Sequence, residues 1–193
     1  MRTRLLTVAL IALTAPVALA GETVREFDWS ELRQSGELKA GEVVPAPAGD
    51  PAAEELKIAN PSGRSRTVPV LEVADPGVGR PAYALRGTVR GESIEGEAYL
   101  EMWSAFPGGK KFFSRTLGTR GPSRSLEGSF DRREFVLPFF VSESSEPPER
   151  LTLNLVLPGK GTVTLSRLRL VQYAPGEDPL KAAGAWWVSA PAD

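Results

Sequence analysis

Glycine and proline clusters punctuate the chain at short intervals from about residue 76 onward, and this spacing is the strongest constraint on its fold. The segments between the clusters are short, rich in β-branched and aromatic residues, and mostly alternate apolar with polar positions. No convincing helical periodicity interrupts the series. Successive short alternating segments predict an all-β fold, with antiparallel sheets packed as a β-sandwich or jelly roll. Six such segments follow one another: AYALRGTVR, EAYLEMWSAF, KKFFSRTL, REFVLPFFVS, RLTLNLVL and TVTLSRLRLVQY.

The last two segments have the clearest alternation. In RLTLNLVL four leucines share one face, and Pro158–Gly161 then supplies a tight turn. This pattern predicts a β-hairpin. In the returning strand Val163 and Leu165 stand on odd positions but Leu168 and Leu170 on even ones, so we expect a β-bulge at Ser166 and Arg167 that restores the core face.

The two ends of the chain differ from this β region. Residues 1–20 carry two arginines, an apolar run and small residues at Ala18 and Ala20, the pattern of a secretory signal peptide. We therefore expect an exported protein, periplasmic, cell-surface or secreted, with a β-sandwich at 21–174 and a tail at 175–193. The stretch 24–45 predicts one or two strands around a polar turn. No transmembrane segment is expected after the signal peptide.

Composition excludes several kinds of chemistry. The chain has no histidine and no cysteine, so Ser-His-Asp and Cys-His nucleophiles and imidazole or thiolate zinc sites cannot be built. Removing the signal peptide removes two arginines and no acid, which shifts the formal net charge from −1 to −3. A chain of that charge has no general attraction for nucleic acid. Paired carboxylates alone do not indicate a glycosidase, because scattered acids always permit some pair.

The segment EAYLEMWSAF carries the candidate site. Alternation places Leu100 and Met102 on one face of a strand and Tyr99, Glu101 and Trp103 on the other. Because an unpaired carboxylate is costly to bury, we expect this second face to be wet or occupied by a polar ligand.

Sugars suit such a face, since their C–H surfaces stack on aromatic rings and their hydroxyls bind carboxylates and cationic donors. Arg115 of the next segment, and Asn154 on the polar face of the late hairpin, are the expected donors if the sheet order brings them near. A structural alternative stays open, in which a loop covers Trp103 and Glu101 pairs with an arginine across the sheet. Phe112 and Phe113 point to opposite faces, and covered packing is expected for them.

The order of motifs YALxGxV, YLEMWSAFPGG, FFSRTL, FxLPF and LxLNLVLPGxGTVxLxxLxL resembles the jelly-roll carbohydrate-binding modules of the galactose-binding-like superfold, in particular the cellulose- and xylan-binding type. The resemblance covers about Phe27 to Gln172. It implies a ligand site on a concave sheet face or in end loops, and allows a structural calcium ion; no other cofactor is expected.

These observations predict a non-catalytic domain that binds a polysaccharide or glycan through Tyr99, Glu101, Trp103 and Arg115. One alternative is a cell-envelope interaction module whose partner is a protein and which has no sugar ligand. A second alternative, a carboxylate-dependent glycan hydrolase or lyase, requires two exposed acids facing each other across a cleft.

Overall fold

The computed structural model describes residues 21–50, 52–141 and 146–180. The predicted signal peptide and residues 181–193 of the predicted tail lie outside the described residues. In these ranges the chain forms helix α1 Trp29–Ser35, two 3₁₀-helices at Pro107–Gly109 and Gly121–Ser123, and nine strands: β1 Glu22–Glu26, β2 Glu42–Pro45, β3 Glu54–Asn60, β4 Arg66–Ala74, β5 Ala82–Ala105, β6 Lys111–Arg115, β7 Leu126–Phe140, β8 Arg150–Leu157 and β9 Gly161–Tyr173.

The strands pair antiparallel in two sheets that share β5, which confirms the predicted all-β jelly roll. In sheet A, β9 pairs with the first half of β5 along one edge and with β1 and β3 along the other. Beyond β3 lies β2, and on the far side of β5 lies β7. In sheet B the order is β4, β8, the second half of β5, and β6. A single 24-residue strand therefore crosses from one sheet to the other.

The transition within β5 takes place around Ser93 and Gly96. Both have positive φ angles, 50° and 76° respectively, in the left-handed region that an extended strand does not visit. The pairing of β5 with β7 changes register on both sides of Ile94. These irregularities bend the strand, so that its two halves face each other across the core.

The predicted hairpin between β8 and β9 is wrong. The two strands are joined by the expected turn, but β8 pairs with β4 and β5 in sheet B, whereas β9 pairs with β1, β3 and β5 in sheet A. The turn therefore crosses between the sheets. Alternation places the four leucines of β8 correctly in the core, at 0 to 2% exposure, but it carries no information about which strand is the neighbour.

The predicted bulge in β9 is confirmed. Two pairings enclose it, Thr88 with Ser166 and Arg86 with Arg169, so that one residue of β5 opposes two of β9. Arg167 has a φ angle of 54° at this point. As a result Leu165 and Leu168 are both buried, although in a regular strand an odd and an even position would point to opposite faces.

Helix α1 was not predicted. The Asp28 carboxylate accepts a hydrogen bond from the backbone N–H of Glu31 at 2.9 Å, and Gly36 ends the helix with a φ angle of 78°. Trp29 and Leu32 face the core. The acidic N-cap and the glycine seven residues after Trp29 were the available signals, and the short alternating stretches on either side obscured them.

Replacing Asp28 by alanine is expected to lower the free energy of unfolding by about 1 kcal/mol, because the N–H of Glu31 loses its acceptor. Urea unfolding followed by tryptophan fluorescence measures the change. Asp28→Ser is the control, since serine also caps helices and should retain most of the stability. Equal losses for both variants would contradict a capping role.

The hydrophobic core lies between the inner faces of the two sheets. A second, smaller buried cluster lies on the outer face of sheet A, where Ala82, Ala84, Val136, Val171 and Tyr173 meet. Arg86 belongs to this outer face and is only 1% exposed. Its guanidinium binds the Glu134 carboxylate through Nε, at 3.1 Å, and through Nη2, and it donates from Nη1 to the Tyr173 hydroxyl at 3.2 Å.

Candidate functional site

The outer face of sheet B brings the four predicted site residues together. Tyr99, Glu101 and Trp103 lie on one face of β5, while Leu100 and Met102 are fully buried in the core on the other. Arg115 of β6 stands directly opposite Glu101. On the other side of the strand, Asn154 of β8 is the Cα partner of Glu101. Three adjacent strands therefore present one polar row across the sheet, and whether it binds a ligand remains a prediction.

Glu101 occupies the centre of this row and is buried, with 6% of its surface exposed. Its Oε1 accepts hydrogen bonds from the indole N–H of Trp103 and, at 3.3 Å, from the amide of Asn154. Its Oε2 accepts from Nε of Arg115 at 2.6 Å. The carboxylate is therefore satisfied by three donors of the protein, and whether a ligand occupies the face that carries it stays a prediction. The structural alternative is correct for Glu101, which pairs with an arginine across the sheet.

The surroundings of Glu101 determine its charge. Burial opposes ionisation of the carboxyl, but the hydrogen bonds from Trp103, Arg115 and Asn154 outweigh that penalty and hold the pKa below its ordinary value. Glu101 is therefore an anion at neutral pH. It orients the Trp103 ring from one oxygen and the Arg115 guanidinium from the other.

The aromatic part of the site is larger than the two predicted rings. Phe113 of β6 stands opposite Trp103, with ring centroids 5.0 Å apart at an interplanar angle of 51°. The Arg115 guanidinium lies 4.2 Å above the Phe113 ring and 5.3 Å from the Tyr99 ring centre. Trp103 and Tyr99 are half-buried, and Phe113 is 49% exposed. These rings and the guanidinium, which we call the aromatic face, lie side by side on the outer face of sheet B and are partly open to solvent.

Covered packing was expected for Phe112 and Phe113, and both are about half exposed. Phe112 lies on the inward side of β6 and contacts Phe106 and Phe139, with centroids 6.0 and 6.4 Å away. The prediction failed because β6 is a short edge strand, so that its inward side reaches the rim of the sandwich. Phe113 and Arg115 are two positions apart on β6 and therefore point to the same face of the strand. This spacing was the signal that could have placed Phe113 in the site.

A cavity of about 310 Å³ adjoins the indole of Trp103. This volume lies at the lower end of the range of small-molecule sites. The cavity opens on the same outer face of sheet B, and its lining combines aromatic, hydroxyl and charged groups: Glu72, Trp103, Ala105, Lys111, Arg150 and Thr152.

Within ranges 21–50, 52–141 and 146–180, no three acidic side chains come close enough together to hold a metal ion. The calcium ion that the sequence resemblance allows therefore stays a prediction. No helix in the described part of the chain is both long and apolar enough to cross a membrane.

No known family model matches the sequence, and no curated protein matches it either. Three solved structures of similar fold are carbohydrate-binding modules, the class that the sequence resembles. TmCBM61, solved in complex with β-1,4-galactotriose, is 12% identical over 77% of this chain and 99% of its own, with a TM-score of 0.46.

The xylan-binding domain CBM22-1 of Paenibacillus barcinonensis Xyn10C is 14% identical, covering 70% of this chain and 83% of its own, with a TM-score of 0.45. A family 16 carbohydrate-binding module is 9% identical, covering 67% and 84%, with a TM-score of 0.44. At these identities the similarity concerns the fold.

Proposed function

We propose that this protein is a non-catalytic, exported domain that binds a polysaccharide or glycan through the aromatic face of sheet B. The observation that carries the proposal is the pairing of the half-buried Trp103 with the exposed Phe113 beside the Arg115 guanidinium. Sugar rings stack on such surfaces through their C–H faces, and their hydroxyls accept hydrogen bonds from arginine.

The preorganisation of this face supports binding. Glu101 fixes Trp103 and Arg115 at once, so neither side chain has to be ordered when a ligand arrives, and less entropy is lost on association. The strand framework beneath these side chains is rigid, because Leu100 and Met102 anchor β5 in the core. A prearranged face on the outside of a sheet suits an extended polymer better than a small enclosed ligand.

Catalysis is a poorer match to the same face. Glu101 is ionised and its oxygens are already occupied by donors from the protein, so it offers no proton to a leaving group. The chain also lacks histidine and cysteine, the side chains that most often transfer protons or attack as nucleophiles near neutral pH.

Replacing Trp103 by alanine is expected to weaken retention in affinity gels containing the bound polysaccharide by about tenfold, since one of the two paired rings of the aromatic face is lost. A panel of neutral and acidic polysaccharides identifies the ligand with the wild-type protein first. Circular dichroism and thermal unfolding check that the variant remains folded.

Phe140→Ala is the matched control for this experiment. Phe140 is 58% exposed, but it belongs to β7 of sheet A, so the variant should be retained like the wild type. Equal losses for both variants would indicate non-specific adhesion through exposed rings. A wild-type protein that migrates freely through every gel would refute the proposal and favour a protein partner at the cell envelope.

A further inference from the structure

Beside the aromatic face, the outer surface of sheet B contains a notch between two cations. Ala105 of β5 has Arg150 of β8 as its Cα partner on one side and Lys111 of β6 on the other. Neighbouring strands are spaced so that the two cationic residues stand about 10 Å apart across the small alanine side chain. The three residues line the cavity of about 310 Å³ described above.

The notch adjoins the stacking surface directly. Trp103 and Ala105 are two positions apart on β5 and point to the same face, and Trp103 lines the same cavity. A sugar ring that stacks on the indole with its exocyclic substituent directed along β5 would place this substituent over Ala105, between the two cations. That substituent is the part of a hexose that distinguishes a neutral sugar from its uronic acid.

The cations of the notch are weakly engaged by the protein. Lys111 is exposed and forms no ion pair with any residue of the described ranges. Arg150 lies 3.9 Å from Glu72, and the two side chains are 56% and 42% exposed, so water and salt screen their attraction. By contrast, Arg115 is neutralised by Glu101. The lining of the cavity thus carries two cations, Lys111 and Arg150, against one acid, Glu72, and its net charge is positive.

We propose that the notch binds the carboxylate of a uronic acid residue, which makes an acidic polysaccharide the ligand class of this protein. The inference rests on the proposed glycan binding and specifies its chemistry. Two cationic donors on opposite sides of one carboxylate give charge-assisted hydrogen bonds, which are stronger than bonds to a neutral hydroxymethyl group. Ala105 leaves room for the group, and Trp103 positions the ring that carries it.

The test uses polygalacturonate and alginate, each with its carboxyl-reduced form, in which the same linkages carry neutral sugars. The wild-type protein should bind one acidic polymer about tenfold more tightly than its reduced form. The variant K111Q/R150Q should lose about tenfold in affinity for the acidic polymer and be unchanged toward the reduced one. The control K57Q/R64Q, which removes two exposed charges from β3 and the following loop, should behave like the wild type.

Three outcomes would overturn the inference. If K111Q/R150Q and K57Q/R64Q lose affinity equally, the preference reflects overall charge. If the wild type binds neutral polymers through Trp103 and shows no preference for acidic ones, the notch has no carboxylate ligand although the proposed glycan binding stands. If it binds neither kind of polymer, both proposals fall together.

Discussion

Replacing Glu134 by alanine is expected to lower the free energy of unfolding by about 3 kcal/mol, the largest effect on stability that we predict for a single side chain. Glu134 is the anionic partner of Arg86, whose side chain is 1% exposed. Burial disfavours the charge on Arg86, but Glu134 and Tyr173 more than compensate, and the pKa of the guanidinium lies above its ordinary value. Without Glu134, a buried cation remains with only a phenol as its partner.

A neighbouring guanidinium increases the cost. Arg169 of β9 is the Cα partner of Arg86, and its pKa is lowered by burial and by the charge of Arg86. Glu134 attracts both arginines and thereby reduces their mutual repulsion. Its removal exposes that repulsion in a surrounding of low polarity, where charge interactions are stronger than in water.

Urea unfolding and thermal melts measure this effect, and the expected decrease in melting temperature is about 6 to 12 °C. Asp131→Ala is the matched control, because Asp131 is an exposed acid on the same strand. The double variant R86M/E134L should recover most of the lost stability, since it removes the cation together with its partner. A Glu134→Ala protein as stable as Asp131→Ala would refute the prediction.

Replacing Glu101 by glutamine is expected to cost about 2 kcal/mol of stability at neutral pH and to weaken glycan binding as well. The amide has nearly the same shape, but its N–H₂ group must face one of the donors that the carboxylate accepted, either the Trp103 indole or the Arg115 guanidinium. One of these two side chains thereby loses its acceptor and its fixed orientation. Glu101 acts through them as a positioning residue.

The stability difference between this variant and the wild type should depend on pH. The folded-state pKa of Glu101 lies below the ordinary value of 4.5, so its contribution is complete above that value and is lost as the pH falls through the lowered folded-state pKa. The difference should therefore shrink as the pH falls below 4.5 and through the lowered pKa of the folded state. Glutamine does not titrate, so the variant lacks this part of the acid sensitivity.

Urea unfolding at several pH values, for the wild type and for Glu101→Gln, tests the dependence. Glu97→Gln serves as control, since Glu97 is exposed on the same strand and its replacement should change neither stability nor binding. A difference between Glu101→Gln and the wild type that stays constant as the pH is lowered until the wild type itself unfolds in acid would show that the loss comes from shape rather than charge.

The sequence predicted strand faces better than strand neighbours. Alternation alone placed Tyr99, Glu101 and Trp103 on one face, and the change of parity in β9 located the bulge at Arg167. Both features are local, since side-chain direction in a strand follows from position along the chain. Pairing is non-local, which is why the turn at 158–160 was interpreted as a hairpin although it connects two sheets.

The same distinction explains the candidate site. That Glu101 shares a face with two aromatic rings follows from spacing, but its burial follows from Arg115 and Asn154 standing directly opposite, which depends on strand order and register. The cationic notch was missed for the same reason. Lys111 and Arg150 are far apart in sequence and meet only because both flank Ala105.

The long strand β5 also determines how this domain can fold. Its two halves pair with β8 and β9, and the contact between Glu101 and Asn154 already spans 53 positions. Forming such distant contacts requires large loops to close, and this entropy is lost before the contacts stabilise the chain. We therefore expect the domain to fold slowly, in milliseconds to seconds. Because β9 forms the middle of sheet A yet follows the other eight described strands in chain order, assembly of that sheet has to wait until the strands before it have been synthesised.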